Sequence, residues 1–153
     1  MKIFWDLDGV LRNLIAAVGH NPQDYHEKIA GLTFVEYVTA HKKILITAPS
    51  TDYIRLVKGK PITMITCQPL DWIPYTKEWI KNHLPKATTI FCQHPLAKMD
   101  YTKEGCLLIE DYPDFPDNSR IVMIDAPYNR EATGCYARVH SPDELAEILK
   151  KGG

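Results

Sequence analysis

Two aspartates one residue apart, in Asp6-Leu7-Asp8-Gly9-Val10, stand directly after the apolar run Ile3-Phe4-Trp5. An ionised carboxylate can attack an electrophile or hold a cation, and a second beside it can carry protons. Where a strand breaks into a loop, both side chains can be aimed at one ligand, and Gly9 permits the turn. A lone D-x-D pair equally suits helix caps, turns and the metal sites of sugar-nucleotide enzymes. A second acidic pair, Glu110-Asp111, follows Cys106-Leu107-Leu108-Ile109 in the same way. Charges that end an apolar strand need solvent or a counter-charge. Oxygen-only ligands of this kind suit Mg2+, which is usually held by one or two carboxylates and a substrate phosphate.

Thr66 closes the run Ile62–Thr66 and leads into Cys67-Gln68. A hydroxyl and free backbone N–H groups at such a strand end can hold a phosphate oxygen. Thr47, in Ile44-Leu45-Ile46-Thr47, is the rival; the helical patterns flanking the Thr66 run favour Thr66. Lys98, in the loop after Thr88–Cys92, would neutralise phosphate and hold Asp6 ionised, with Lys103 as its competitor.

The elements that must position these groups alternate. Strand-length apolar runs recur at Lys2–Trp5, Pro61–Thr66, Thr88–Cys92, Cys106–Glu110 and Arg120–Ile124, with helical patterns between several of them. This predicts an α/β fold with a parallel sheet flanked by helices, whose C-terminal strand ends gather the chemistry on one edge. Asn21-Pro22 predicts one helix start, and the capping box Thr33-Phe34-Val35-Glu36 opens another through about Lys42. Ser50 or Thr51 caps a short helix ending at Gly59, a helix runs from about Pro74 to Leu84, and Ser141-Pro142-Asp143-Glu144 starts the last one. More than fifty residues separate the first two strands, too many for a single-helix crossover. One domain is therefore expected, with a core of 1–12 and 49–153 and a small helical cap of about 13–48 inserted after the first strand.

The chain has 153 residues and a formal net charge of −1, so no overall field draws it onto long nucleic acid or an anionic membrane. No apolar run reaches the roughly 18 residues of a membrane span. Cys67, Cys92, Cys106 and Cys135 form no C-x-x-C pair, so they are expected to be reduced thiols, mostly in the core. With no leader-like start, the expected location is cytoplasmic.

The order of these features, a strand-end D-L-D-G-V, a strand-end threonine, a loop lysine and L-L-I-E-D-Y-P-D, resembles the haloacid dehalogenase (HAD) superfamily of phosphotransferases across essentially the whole chain. Within it, Cys106–Asn118, Ala126-Pro127-Tyr128-Asn129 and the small cap look like the 5′(3′)-deoxyribonucleotidase group. Two residues depart from that pattern: Glu110 replaces the more usual aspartate, and Arg12 stands where the group often has an acidic or small residue. The resemblance implies a Mg2+-dependent phosphomonoesterase, a Rossmann-like HAD fold and an aspartyl-phosphate intermediate. Asp6 would be the nucleophile and Asp8 the acid and base. Mg2+ would lie on Asp6, the Asp8 carbonyl and the Glu110/Asp111 pair, and Thr66, Cys67 and Lys98 would bind phosphate. Dehalogenation is disfavoured, because Asp8 and the acidic pair belong to the phosphoryl branch.

The expected substrate is a small phosphate ester, foremost a nucleoside monophosphate. Arg12, Tyr25, Tyr37, His41 and Gln68 are the candidates for its selection, while Phe34 and Val38 are expected to pack. A sugar phosphate or a nucleic-acid 3′-phosphate end is the alternative substrate. A silent nucleotide-binding domain is the alternative of another class. These residues do not distinguish a monomer from a homodimer joined through the cap.

Overall fold

The computed structural model describes residues 1–152. Among them the strands β1 (Lys2–Trp5), β2 (Thr63–Cys67), β3 (Thr88–Cys92), β4 (Cys106–Glu110), β5 (Ile121–Ile124) and β6 (Ala137–Val139) form one sheet in the order β3-β2-β1-β4-β5-β6. Every adjacent pair is parallel. Strand order reverses between β1 and β4, the place where an open α/β sheet leaves a crevice beyond its carboxyl ends. Trp5 pairs with Ile109, so Asp6 and Glu110 leave the sheet side by side.

Side-chain alternation along these strands builds two cores, one on each face. Trp5, Met64, Leu107, Ile109 and Val122 point to one face, where Trp79 and Ile80 of α4 (Ile73–His83) and Leu145 of α5 (Pro142–Gly152) cover them. Phe4, Ile65, Leu108, Ile121 and Met123 point to the other, covered by Phe115, Tyr112 and the 3-10 helix Pro95–Tyr101 with its Met99 and Tyr101. The second face thus lacks a long helix among the described residues. Among them, too, no helix is long and apolar enough to cross a membrane.

Between β1 and β2 lie α1 (Leu14–Val18), α2 (Phe34–Ala40), α3 (Ile44–Thr47) and the 3-10 helix Asp52–Leu56. The Thr33 capping box forms as expected, Thr51 caps the 3-10 helix, and Gly59 takes φ +76°. A helix at Asn21-Pro22 does not form. The segment has no apolar stripe to bury, so a cap signal alone cannot nucleate a helix there. The helix sits earlier instead: Asn13 accepts a hydrogen bond from the Ala16 N–H, and Gly19 closes α1 at φ +76°. Ile44-Leu45-Ile46-Thr47 is helical, with Leu45 inserted among Leu14, Val38, Ala48 and Trp72.

Candidate active site

A cavity of about 370 Å³ opens at the C-terminal edge of the sheet, with Asp6, Asp8, Thr66, Cys67, Lys98, Glu110 and Asp111 among its lining residues. All seven come from strand ends or the segments that follow them, and the segment Leu14–Val35 supplies the opposite wall.

The floor is a buried charge cluster. The Lys98 Nζ donates to Asp6 Oδ1 at 2.6 Å and to Glu110 Oε2 at 2.8 Å, and all three side chains are almost wholly buried. Asp6, Glu110 and Asp111 each present an oxygen within 4.8 Å of the others. One lysine against three carboxylates leaves excess negative charge. Burial, and then the neighbouring Glu110 charge, accordingly raise Asp6 well above the usual carboxylate range. The same two causes push Asp111 up to about 8. Burial also works against an ionised Glu110, but Lys98 outweighs it and holds that carboxyl below its ordinary value. Lys98 is itself raised, since the attraction of Asp6 and Glu110 exceeds the penalty of burial.

Such surplus charge is able to hold a divalent cation. The Glu110 oxygens are already occupied, Oε2 by Lys98 and Oε1 by the N–H groups of Asp111 and Tyr112. Asp6 and Asp111 are therefore the carboxylates best able to take an ion directly, with Glu110 fixing Lys98 and the turn. Asp111 is steered by the Tyr128 hydroxyl, which donates to its Oδ2, and by Asn129, whose side-chain N–H groups donate to the Asp111 and Ile124 carbonyls at 3.0 and 2.8 Å. Gly9, at φ +84°, lies so close to Asp111 that any Cβ there would collide with the carboxylate. A side chain at position 9 would displace Asp111 from the cluster.

A pH dependence follows from the Asp111 shift. Its proton is held more tightly in the folded chain than in the unfolded one, so that contribution to stability is full below about pH 4 and is lost as pH rises towards about 8. Denaturant unfolding in chelator should show the folded state weaker by a few kcal/mol at pH 8.5 than at pH 5. Millimolar Mg2+ should restore most of the difference, and an equal loss with and without Mg2+ would remove the cation site.

Asp8 is held separately. Arg12 donates from Nε to Oδ1 at 2.6 Å and from Nη2 to Oδ2 at 3.0 Å, and Gln68 Nε2 donates to Oδ2 at 3.1 Å. Gln68 Nε2 also reaches Thr66 Oγ1 at 3.1 Å, while the Thr76 hydroxyl donates to Gln68 Oε1 at 2.6 Å. Arg12 is fully buried; its Nη1 donates to the Leu45 carbonyl of α3 at 2.8 Å and to Thr76 Oγ1 of α4 at 3.2 Å. Arg12 and Gln68, expected as substrate contacts, do not line the cavity and instead aim Asp8 from behind. With this carboxylate occupied, its oxygens stand apart from the Asp6, Glu110 and Asp111 cluster that could hold a cation. Arg12→Lys cannot keep the two-pronged contact and should lower unfolding free energy by about 1–3 kcal/mol. Unchanged urea unfolding would mean that the network adds no stability.

Tyr25 lines the cavity, its ring edge against Tyr112 and tilted against Tyr128. Tyr37 and His41 do not: their rings stack on each other at 4.4 Å, and His41 is exposed. One helical turn joins them, but the face they share turns away from the cavity. Phe34, expected to pack, does so and also lines the cavity, whereas Val38 is wholly core. Thr66, rather than Thr47, sits at the site; Thr47 is exposed and donates to the Lys43 carbonyl. Sequence reasoning assigned no role to Tyr128 or Asn129, although the motif Ala126-Pro127-Tyr128-Asn129 was visible. The capping pattern at that proline, in which Asn129 accepts from the Ala126 N–H, was the signal available. No model of a known protein family matches the chain, and no curated protein is significantly similar to it.

Proposed function

We propose that this chain is a Mg2+-dependent phosphomonoesterase of the HAD type, acting on a nucleoside monophosphate. The observation that carries this reading is the buried Asp6, held by Lys98 at 2.6 Å on the floor of a cavity at the sheet's switch point, with Asp111 and Glu110 beside it. In the proposed reaction the free Asp6 oxygen attacks phosphorus, the bond from phosphorus to the ester oxygen breaks, and an aspartyl-phosphate forms. Asp8 passes a proton to the departing oxygen and later takes one from the water that hydrolyses the aspartyl-phosphate. Lys98 works against the burial that raises Asp6 and neutralises a phosphoryl oxygen, while Thr66 and the Cys67 backbone cradle another. Mg2+, when bound by Asp6, Asp111 and the Asp8 carbonyl, supplies the charge that lets an anionic nucleophile approach an anionic ester.

The choice of substrate rests on the opposite wall. Leu14, Ile15, Tyr25, Phe34, Tyr112 and Tyr128 form an apolar and aromatic surface that suits a base. Among the described residues Lys98 is the sole lysine or arginine lining the cavity, which suits one phosphate rather than a polyphosphate.

One observation favours a second reading. Asp8 accepts three N–H hydrogen bonds from Arg12 and Gln68, which engage both of its carboxylate oxygens away from a substrate; on this reading the chain holds a phosphorylated ligand without turning it over. The deciding measurement is phosphate release from ribo- and deoxyribonucleoside 5′- and 3′-monophosphates, sugar phosphates and a 3′-phosphorylated oligonucleotide, each with Mg2+ and with chelator. Mg2+-dependent release selective for a mononucleotide is the expected result. Release from another class alone overturns the substrate, and silence from folded protein overturns the reaction.

A further inference from the structure

Two cysteines stand together where the sequence gives no reason to pair them. Cys67 ends β2, Cys92 ends β3, and the parallel register sets them directly opposite each other. Neighbouring strands lie roughly 4.8 Å apart, within the Cα separation of about 4.4–6.8 Å that a disulfide spans. The Cys92 thiol donates to the Thr66 carbonyl at 3.6 Å, across the same pair of strands. Both residues are half-buried, and Cys67 lines the cavity, which gives a small oxidant a route to the pair.

The two thiols are not equivalent. The closeness of the two thiols is the main cause that lowers Cys92 to about 7 and that raises Cys67 above the ordinary thiol range. Of the two, Cys92 is the thiol more readily ionised, with Cys67 as its neighbour. This is the arrangement of an attacking thiol beside a resolving one.

We propose that Cys67 and Cys92 form a peroxide-responsive thiol pair that closes reversibly to a disulfide at the edge of the cavity. The Cys92 sulfur attacks one oxygen of hydrogen peroxide, the O–O bond breaks, and hydroxide leaves to become water, giving Cys92 sulfenic acid. The Cys67 sulfur then attacks the Cys92 sulfur, the S–O bond breaks, and the hydroxyl departs with the Cys67 proton as a second water. Two thiols are oxidised and one peroxide is reduced to two waters. A bond between adjacent parallel strands lies at the tight end of disulfide geometry, so mild dithiols reopen it. The bridge would fix the Thr66-Cys67 turn against β3. The chemistry of the pair does not depend on the proposed phosphatase reaction.

The test is thiol counting on the full chain, before and after stoichiometric hydrogen peroxide. Accessible-thiol labelling under denaturing conditions should fall from four to two, with a mass loss of 2 Da. Peptide mapping should join the Cys67 and Cys92 peptides, and dithiothreitol should restore four thiols. Cys92→Ser, with circular dichroism unchanged, should retain its remaining three. Four reactive thiols after peroxide, a link involving Cys106 or Cys135, a bond between two chains, or two thiols still lost in Cys92→Ser would each overturn the proposal. Because these readouts count sulfur chemistry, they stand whether or not the chain releases phosphate.

Discussion

Asp6→Asn is expected to lower Mg2+-dependent phosphate release by about a thousandfold or more while leaving the chain folded. The amide keeps the shape of the side chain but has no electron pair able to form the bond to phosphorus. No neighbour can take over. Glu110 is engaged by Lys98 and by two backbone N–H groups, and Asp8 by Arg12 and Gln68. The fold should tolerate the change, because the substitution removes a negative charge from a cluster that has too many, and Lys98 would keep Glu110 as its partner. The measurement is single-turnover phosphate release on the preferred substrate, with thermal unfolding of the same preparation. Activity within tenfold of the wild type would exclude Asp6 as nucleophile.

Lys98→Met carries the largest expected cost in stability. The methionine fills much the same space, but Asp6, Glu110 and Asp111 are left buried together with no cation. Removing one partner of a buried ion pair typically costs about 3–5 kcal/mol. The loss should depend on conditions in a way that a packing defect would not. Protonation at pH 5 should recover part of it, and so should millimolar Mg2+ at pH 8. Equal destabilisation at both pH values, unmoved by Mg2+, would mean that Lys98 matters for its shape alone.

The inner strands were legible because they are buried on both faces and so read as continuous apolar runs, Cys106-Leu107-Leu108-Ile109 the clearest; β3, an edge strand, was marked by the β-branched and aromatic run Thr88-Thr89-Ile90-Phe91. β6 was not, for it is a three-residue edge strand, Ala137-Arg138-Val139, that carries an arginine. In the inserted segment, local signals competed. Thr33 to Glu36 combined a cap with apolar residues to bury and formed a helix, while Asn21-Pro22 offered the cap alone and did not. The strand-like Ile44–Thr47 became a helical turn because Leu45 fills a hole between α1, α2 and Trp72, a tertiary demand that outweighs β-branched preference. At the site, carboxylates at strand ends could be placed from the sequence, since the edge they share follows from parallel order. Arg12 and Gln68 were recognised as belonging near the site, but their direction was not, because it depends on Thr76 and Leu45, which reach Arg12 from distant parts of the chain.

The inserted segment is held most firmly through its later half. The Trp79 indole N–H donates to the Ala48 carbonyl at 2.8 Å, Arg12 holds the Leu45 carbonyl, and the Trp72 indole donates to Thr39 at 2.9 Å. Between Gly19 and Gly31, both in the left-handed region, Pro22 alone is buried, yet Pro22, Tyr25, His26, Glu27 and Ile29 form part of the cavity wall. Part of the surface that would meet the organic part of a ligand, Tyr25 above all, is therefore also surface whose replacement disturbs the core little. Mutational tolerance and ligand choice coincide in one stretch of chain, so a lineage carrying this scaffold could exchange its preferred ligand by drift in that loop while the buried carboxylates and the sheet stay as they are.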